Sequence, residues 1–376
     1  MPCPASAGNF GSGRSPRPAL EFAEPRTAGI RDFPRVVPSA GTTLRTGRMT
    51  RKDRLPIIRK GAGRGFYYEL DSQRITDQQE LDRIKGLAIP PAWKQVRIAR
   101  STRAKVQAVG VDAAGRTQSI YNPVFRARQD EAKFARMLEF GTALPQLRAQ
   151  VRKDLRRRSA NEQKVAAAVI ALIDEHLLRV GTPARSGAGV SFGATTLRRK
   201  HVKPARASLK LEFTGKSGQP QSIRVSNPKL MRILEELKNM PGHELFRFLD
   251  ENNHAHRMDA DRVNSYLRQA MDGPFTAKDF RTWGGTSCAL QALLEVPGAD
   301  AQAPEQLAKH AVETAAAKLG NTPTIARESY VDPRVLLLCE EPERLDRLRR
   351  SYRQLKTRHH LDPAERCLLR VLRTEP

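Results

Sequence analysis

The side chains of this chain best suited to chemistry are cations, one amide and one phenol, and they stand in a fixed order. Arg179 follows an apolar segment of helical period, in Leu177-Leu178-Arg179-Val180-Gly181. Lys216 lies at the tip of an expected hairpin, Gly215-Lys216-Ser217-Gly218. Arg281 lies in Lys278-Asp279-Phe280-Arg281-Thr282, and Asn321 and Tyr330 lie in the stretch from Leu319 to Tyr330. Guanidinium forks and an ammonium suit an anionic oxygen rather than a metal ion. Among 66 Lys and Arg residues, any one cation is far more often solvated surface than catalyst, so the weight rests on the ordered set. Other chemistries find no support. Gly215-Lys216-Ser217 ends like a phosphate-binding loop, but Lys210 stands where that loop needs glycine. The eight histidines do not fall at metal-ligand spacing with carboxylates, and the closest pair, His254 and His256, reads as a solvated loop. Cys3, Cys288, Cys339 and Cys367 form no CxxC pair, so neither a zinc site nor a disulfide framework is expected.

The ordered set resembles that of the type IB DNA topoisomerases, in their bacterial, poxvirus-like branch. Further matching segments are Arg83–Trp93 (RIKGLAIPPAW), Thr195–Val202 (TTLRRKHV), Phe213–Gly218 (FTGKSG) and Pro241–Phe246 (PGHELF). The resemblance runs from about residue 65 to about residue 335. It implies that Tyr330 attacks a backbone phosphodiester and forms a 3′-phosphotyrosyl link. Arg179 and Arg281 would clamp the non-bridging oxygens, with Asn321 as a neutral donor beside them. Lys216 would protonate the departing 5′-oxygen. No metal or other cofactor is implied, since the link keeps the bond energy for resealing. Gln118 and Tyr121 match a strand that contacts DNA in the family, and Lys200, His201 and Lys278 are further DNA-contact candidates. Tyrosine-type site-specific recombinases share this core and are the rival reading. They usually carry His three residues before the second Arg, where this chain has Lys278. A non-catalytic DNA-binding protein explains the charge but not the ordered set. The chain departs from the family after Arg179, at Gly181-Thr182-Pro183 and Ser191-Phe192-Gly193-Ala194, and on the DNA-contact strand, where Ser119 replaces an aromatic.

The elements that must position this set divide the chain into three. Residues 1–50, rich in Gly, Pro, Ser and Arg, read as a disordered basic tail. Glu21, Glu24 and Asp32 argue against a transit peptide, and Met49 offers a later start. Residues 51–128 read as a small β-rich domain. It holds strands at Phe66–Leu70, Val96–Val111 and Thr117–Tyr121, and a helix at Thr76–Lys85 capped by Thr76. Ile89–Trp93 reads as an extended connection and Asp112–Gly115 as a turn. Residues 129–376 read as an α-rich catalytic domain with an inserted hairpin, Leu209–Phe213 and Gln221–Val225. Its helices are expected from a capping box at Ser159–Glu162 to Gly181, and at Asn227–Leu237, Asp259–Met271, Ala277–Leu294 and Pro304–Leu319. Residues 338–376 form a basic helical extension. The fold class is therefore α+β, and the resemblance implies that the two parts close as a clamp on duplex DNA.

The whole-chain numbers agree. With 66 basic and 40 acidic residues, the net charge of +26 over 376 residues attracts phosphate backbones. No apolar run approaches the ~18 residues of a membrane span. The expectation is a monomer that acts on DNA in the cytoplasm, associated with the nucleoid.

Overall fold

A computed structural model describes residues 55–63, 65–182, 191–296 and 303–374. The expectation for residues 1–50 lies outside these. Six strands form the first sheet: β1 Ile57–Ala62, β2 Gly65–Leu70, β3 Gln73–Arg74, β4 Lys94–Ile98, β5 Val106–Val111 and β6 Thr117–Tyr121. Their spatial order is β3-β2-β1-β4-β5-β6, with every pairing antiparallel. The run expected as one strand, Val96–Val111, is two strands joined by a loop that the Gln107 amide holds through the carbonyls of Ser101, Thr102 and Ala104. A buried cluster of Ile57, Ile84, Val96, Ile98 and Ala108 seats helix α1, Gln78–Gly86, on the sheet. Its cap is Asp77 rather than Thr76, because the Asp77 carboxylate receives the free N–H groups of Gln79 and Glu80. Ile89–Trp93 is not simply extended. It ends in a turn, closed by the Trp93 N–H on the Pro90 carbonyl, and Arg59 binds the carbonyls of Pro90, Pro91 and Trp93.

After Tyr121 the chain turns helical at once. Asn122 caps helix α2, Pro123–Ala135, and α3, Met137–Asp154, follows after one residue. Helix α4, Glu162–His176, is capped by Asn161, two residues later than a Ser159 box requires. It ends at Leu177 in the left-handed conformation (φ 52°), four residues before Gly181. A three-stranded antiparallel sheet comes next: β7 Val202–Ala205, β8 Ser208–Thr214 and β9 Pro220–Val225. The expected hairpin is β8–β9, and β7 extends it. Helix α5 is Pro228–Asn239, a short antiparallel pair is β10 Arg247–Leu249 with β11 Ala255–Arg257, and α6 is Ala260–Met271. His256 of β11 binds Asp250 and stacks on Phe248, so it lies in a strand and not a solvated loop.

The centre of this part is helix α7, Ala277–Glu295, in which 14 residues are buried, including Arg281 and Trp283. Around it lie α8 Pro304–Leu319, α9 Pro323–Ser329, α10 Pro333–Leu337, α11 Pro342–Gln354 and α12 Pro363–Arg373. One continuous core joins α3 and α4 to α7 and α12, including Phe140, Ile173, Trp283 and Leu368. The C-terminal extension is thus part of that core. Glu365, 5% exposed, receives the Trp283 indole N–H at 2.9 Å and the Arg148 guanidinium at 2.7 and 2.8 Å. The architecture is α+β, a β-rich start followed by helices.

Candidate active site

Tyr330 follows the last residue of α9 and is half-buried on a small apolar cluster of Leu177, Val312, Ala316, Leu319 and Ala326. Helix α7 holds its main chain. The Thr286 hydroxyl, fully buried, donates to the Tyr330 carbonyl at 2.9 Å and accepts the Asp332 N–H at 3.1 Å. A Cβ on Gly285 would lie 3.2 Å from both the Cβ and the carbonyl oxygen of Tyr330, so the absence of a side chain there lets the two segments approach.

Five residues before Thr286, the same helix carries Arg281, 5% exposed. Its guanidinium donates to the Leu177 carbonyl, at the end of α4, and to the Leu319 carbonyl at 3.1 Å, at the end of α8. Helix C-termini carry partial negative charge and unpaired carbonyls, so they suit a cation. The guanidinium carbon lies 4.9 Å from the centre of the Tyr330 ring, and Nε is buried without a partner. The left-handed turn at Leu177 follows from this site. It closes α4 early and places the carbonyl that Arg281 uses.

Arg179 is fixed by its backbone. Its carbonyl accepts the Ala194 N–H at 2.8 Å, and the Val180 carbonyl accepts the Thr195 N–H at 2.7 Å. The crossing is possible because two glycines meet: a Cβ on Gly193 would lie 2.6 Å from Gly181 backbone atoms and from the Arg179 carbonyl. The two places where the sequence departs from the family therefore pack on each other. The Arg179 Nη2 donates to the Asn321 Oδ1 at 2.5 Å, which leaves the buried Asn321 Nδ2 without a partner. Asn321 is placed by the left-handed Gly320 at the end of α8. Lys216 is exposed at the turn between β8 and β9, as its position in the sequence suggests.

Arg179, Lys216, Lys278, Arg281 and Tyr330 line one cavity of about 590 Å³. Burial raises the Tyr330 phenol's pKa, but Arg281, Arg179 and Lys216 outweigh it and bring the group below its ordinary value. Arg281 is itself lowered, by burial first and then by Arg179, while remaining a cation. Arg281 Nε, an unpaired buried donor, can hold an anionic oxygen beside the phenol, and Asn321 Nδ2 is a further buried donor without a partner.

The expected DNA-contact residues fare unevenly. Lys278 is exposed at this cavity, and Lys200 is exposed beside Arg198, Arg199, Lys238 and His243 in a second, cationic hollow. His201 is corrected. It is 6% exposed, its Nδ1 accepts the Arg198 N–H, and its ring packs on Phe192 and Phe213, so it cannot face DNA. Tyr121 is 49% exposed. Gln118, three residues earlier on β6, falls on the opposite face and gives its amide to Asp112 at 2.9 Å. Sequence reasoning missed Thr286, Gly285, Gly181 and Gly193 as placing residues. Of these only Gly181 and Gly193 carried a signal, in the departures noted at those positions. Among the described residues, no group of three or more His, Cys, Asp or Glu could hold a metal ion, and no helix is long and apolar enough to cross a membrane.

Residues 122–355 match the family model of the eukaryotic DNA topoisomerase I catalytic core, and residues 65–112 match that of the bacterial DNA topoisomerase IB N-terminal domain. The chain is 30% identical over 284 residues to the DNA topoisomerase 1B of Acanthamoeba polyphaga mimivirus, covering 73% of this chain and 84% of the viral protein. It is 24% identical over 189 residues to the DNA topoisomerase 1 of Mycosarcoma maydis, covering 46% of this chain and 18% of that protein.

Proposed function

This chain belongs to the type IB DNA topoisomerases, and on that premise we propose that Tyr330 is its nucleophile and that Arg179, Lys216, Arg281 and Asn321 complete the active site. Such an enzyme cuts one strand of duplex DNA through a 3′-phosphotyrosyl intermediate, lets the duplex turn, and reseals the strand. The observation that carries the residue assignment is the cavity itself. A phenol held below its ordinary pKa stands beside an unpaired buried donor, Arg281 Nε, in a cavity that Arg179 and Lys216 also line.

The steps follow from this placement. Tyr330 gives its proton to solvent and its oxygen attacks the phosphorus. Negative charge grows on the non-bridging oxygens, where Arg281, Arg179 and Asn321 donate. The P–O5′ bond breaks, and Lys216 donates a proton to the leaving oxygen. The 5′-hydroxyl then attacks the phosphotyrosine to reverse the path, and no external energy source enters.

Binding is read as mainly phosphate contact, supported by the +26 charge and by the exposed Lys200 and Lys278. Gln118 and Tyr121 are kept as DNA-contact candidates on the first sheet, and Tyr121 is the better placed because it is exposed. A division into residues 51–128 and 129–376 is supported by the first sheet ending at Tyr121 and by the two separate family matches. The two parts are read as a clamp that closes on DNA. A monomer suffices, since every proposed catalytic residue comes from one chain, and the charge favours association with the nucleoid.

The test is a suicide duplex whose short 3′ fragment leaves after cleavage and traps the protein on the DNA. The parent protein should accumulate a covalent adduct on Tyr330 and should relax plasmid DNA in EDTA without ATP. Plasmid relaxation by Tyr330→Phe would overturn the assignment.

A further inference from the structure

Thr286 fixes the nucleophile from inside the core. On the other side the segment just before the nucleophile, Glu328 and Ser329, touches helix α2, whose own anchoring is unusual. None of its side chains is fully buried, and its contact with the main core is through Phe134 in its last turn, so core packing does not set its start. It is instead stapled at its start to the first sheet. The Asn122 N–H donates to the Lys105 carbonyl at 3.0 Å, its side-chain amide donates to the Thr102 carbonyl at 2.6 Å, and its Oδ1 caps the helix. Tyr121, the exposed end of β6, stacks on Phe125 in the first turn with ring centres 6.2 Å apart. There is no slack between the strand and the helix.

The opposite attachment is to the nucleophile's own segment. Arg126, Asp130 and Lys133 stand at positions i, i+4 and i+7, which places them on one helical face. The Lys133 ammonium donates to the Ser329 carbonyl at 2.9 Å, one residue before Tyr330, and to Asp130 at 2.9 Å. Arg126 pairs with Glu328 at 3.2 Å. The latter pair is well exposed and contributes little alone. The Lys133 bond is the better shielded, with the side chain 20% exposed.

We propose that α2 is a strut between the DNA-facing end of the first sheet and the nucleophile, and that Lys133 is a positioning residue that sets the Tyr330 phenol through the Ser329 carbonyl. DNA seated against Tyr121 loads the first turn of α2, and the stripe 126–130–133 passes that load to residues 328 and 329. The inference rests on the reading of Tyr330 as the nucleophile. Lys133 also borders the catalytic cavity, so the competing role is a direct phosphate contact.

The two roles separate experimentally on the full chain with the suicide duplex. Lys133→Met keeps the length and apolar stem and removes the donors. It should slow single-turnover cleavage at saturating DNA by about tenfold, in the range of one lost charge-assisted hydrogen bond. The dissociation constant for duplex and its salt dependence should not change, and Lys133→Arg should recover most of the rate. In the double variant, Tyr121→Ala with Lys133→Met should be no slower than the slower single variant, the non-additivity of residues acting in one chain of contacts. Multiplicative losses overturn the strut. A slope of log K against log salt shallower by about 1 marks a phosphate contact and also overturns it. Tyr330→Phe is run alongside. An adduct with that variant removes the underlying reading, whereas a dead Tyr330→Phe with a fully active Lys133→Met removes only the strut.

Discussion

Replacing Arg281 by lysine keeps a positive charge and removes a shape, so it tests which of the two the site needs. The guanidinium uses two nitrogens on the carbonyls of Leu177 and Leu319 and leaves Nε free beside Tyr330. An ammonium bound to those carbonyls has no rigid third donor at the place of Nε. Losing one preorganised donor to a transition-state oxygen costs ~10²–10³ in rate, or about 2.7–4 kcal/mol. Cleavage by Arg281→Lys should therefore be slower by that factor. Folding should suffer less. If one charge-assisted bond to the two helix ends is lost, the expected loss is about 1.5–3 kcal/mol. The assay is single-turnover adduct formation with the suicide duplex at saturating DNA, with thermal unfolding measured on the same preparation. A folded Arg281→Lys protein cutting within about fivefold of the parent, or ~1 kcal/mol, would show that net charge suffices and that the fixed fork is unnecessary.

Three further outcomes follow from the same geometry. A duplex with sulfur in place of the bridging 5′-oxygen has a leaving group that needs no proton, so Lys216→Ala should regain most of its lost cleavage rate on it while Arg281→Ala should not; equal rescue of both variants would remove Lys216 as the acid. Because Arg281, Arg179 and Lys216 hold the Tyr330 phenol below its ordinary value, the parent's single-turnover rate should rise with pH and level off below ~10, the usual phenol value. Removing Arg179 takes away stabilisation of the phenolate, so the rising limb should move to higher pH; a limb that stays put in Arg179→Ala would show that it belongs to another group. Glu365→Ala should lower the unfolding midpoint by several degrees, since it strips a carboxylate from the half-buried Arg148 and a partner from the buried Trp283, a loss of about 3 kcal/mol; an unchanged midpoint would mean that Asp174 and the His360 carbonyl satisfy Arg148.

What could be read from the sequence depended on whether the signal was local. Pro304–Leu319 was legible to the residue, because proline opens that helix and left-handed Gly320 closes it, both by the chain's own stereochemistry. The capping at Asn122, Asn227 and Asp259 is local in the same way. The end of α4 was not legible. Gly181 is the obvious stop, yet Leu177 turns left-handed, at a position that supplies a carbonyl to an arginine 104 residues away. His201 has the polarity of a surface residue, and only the aromatic walls of Phe192 and Phe213 show that it is inside. The proposed catalytic set stands out in the sequence as a pattern of residue types in order. The backbone that aims it was not, since Thr286 is an ordinary helical threonine until Tyr330 folds onto it.

The contrast between α7 and α2 carries a consequence on the axis of time. Amide protons exchange with solvent water only when a helix opens, and the free energy of opening rises with buried contact. Helix α7 is walled in along most of its length, so its amides, including those under Arg281 and Thr286, should be among the last in the protein to take up deuterium. Helix α2, with no fully buried side chain, should exchange early in the free protein and slow down when DNA occupies the enzyme. Arg281 would then sit on the slowest element of the molecule and the nucleophile's outer support on one of the fastest. A protein built this way would keep its buried arginine fixed and complete the outer support of the attacking residue only on substrate.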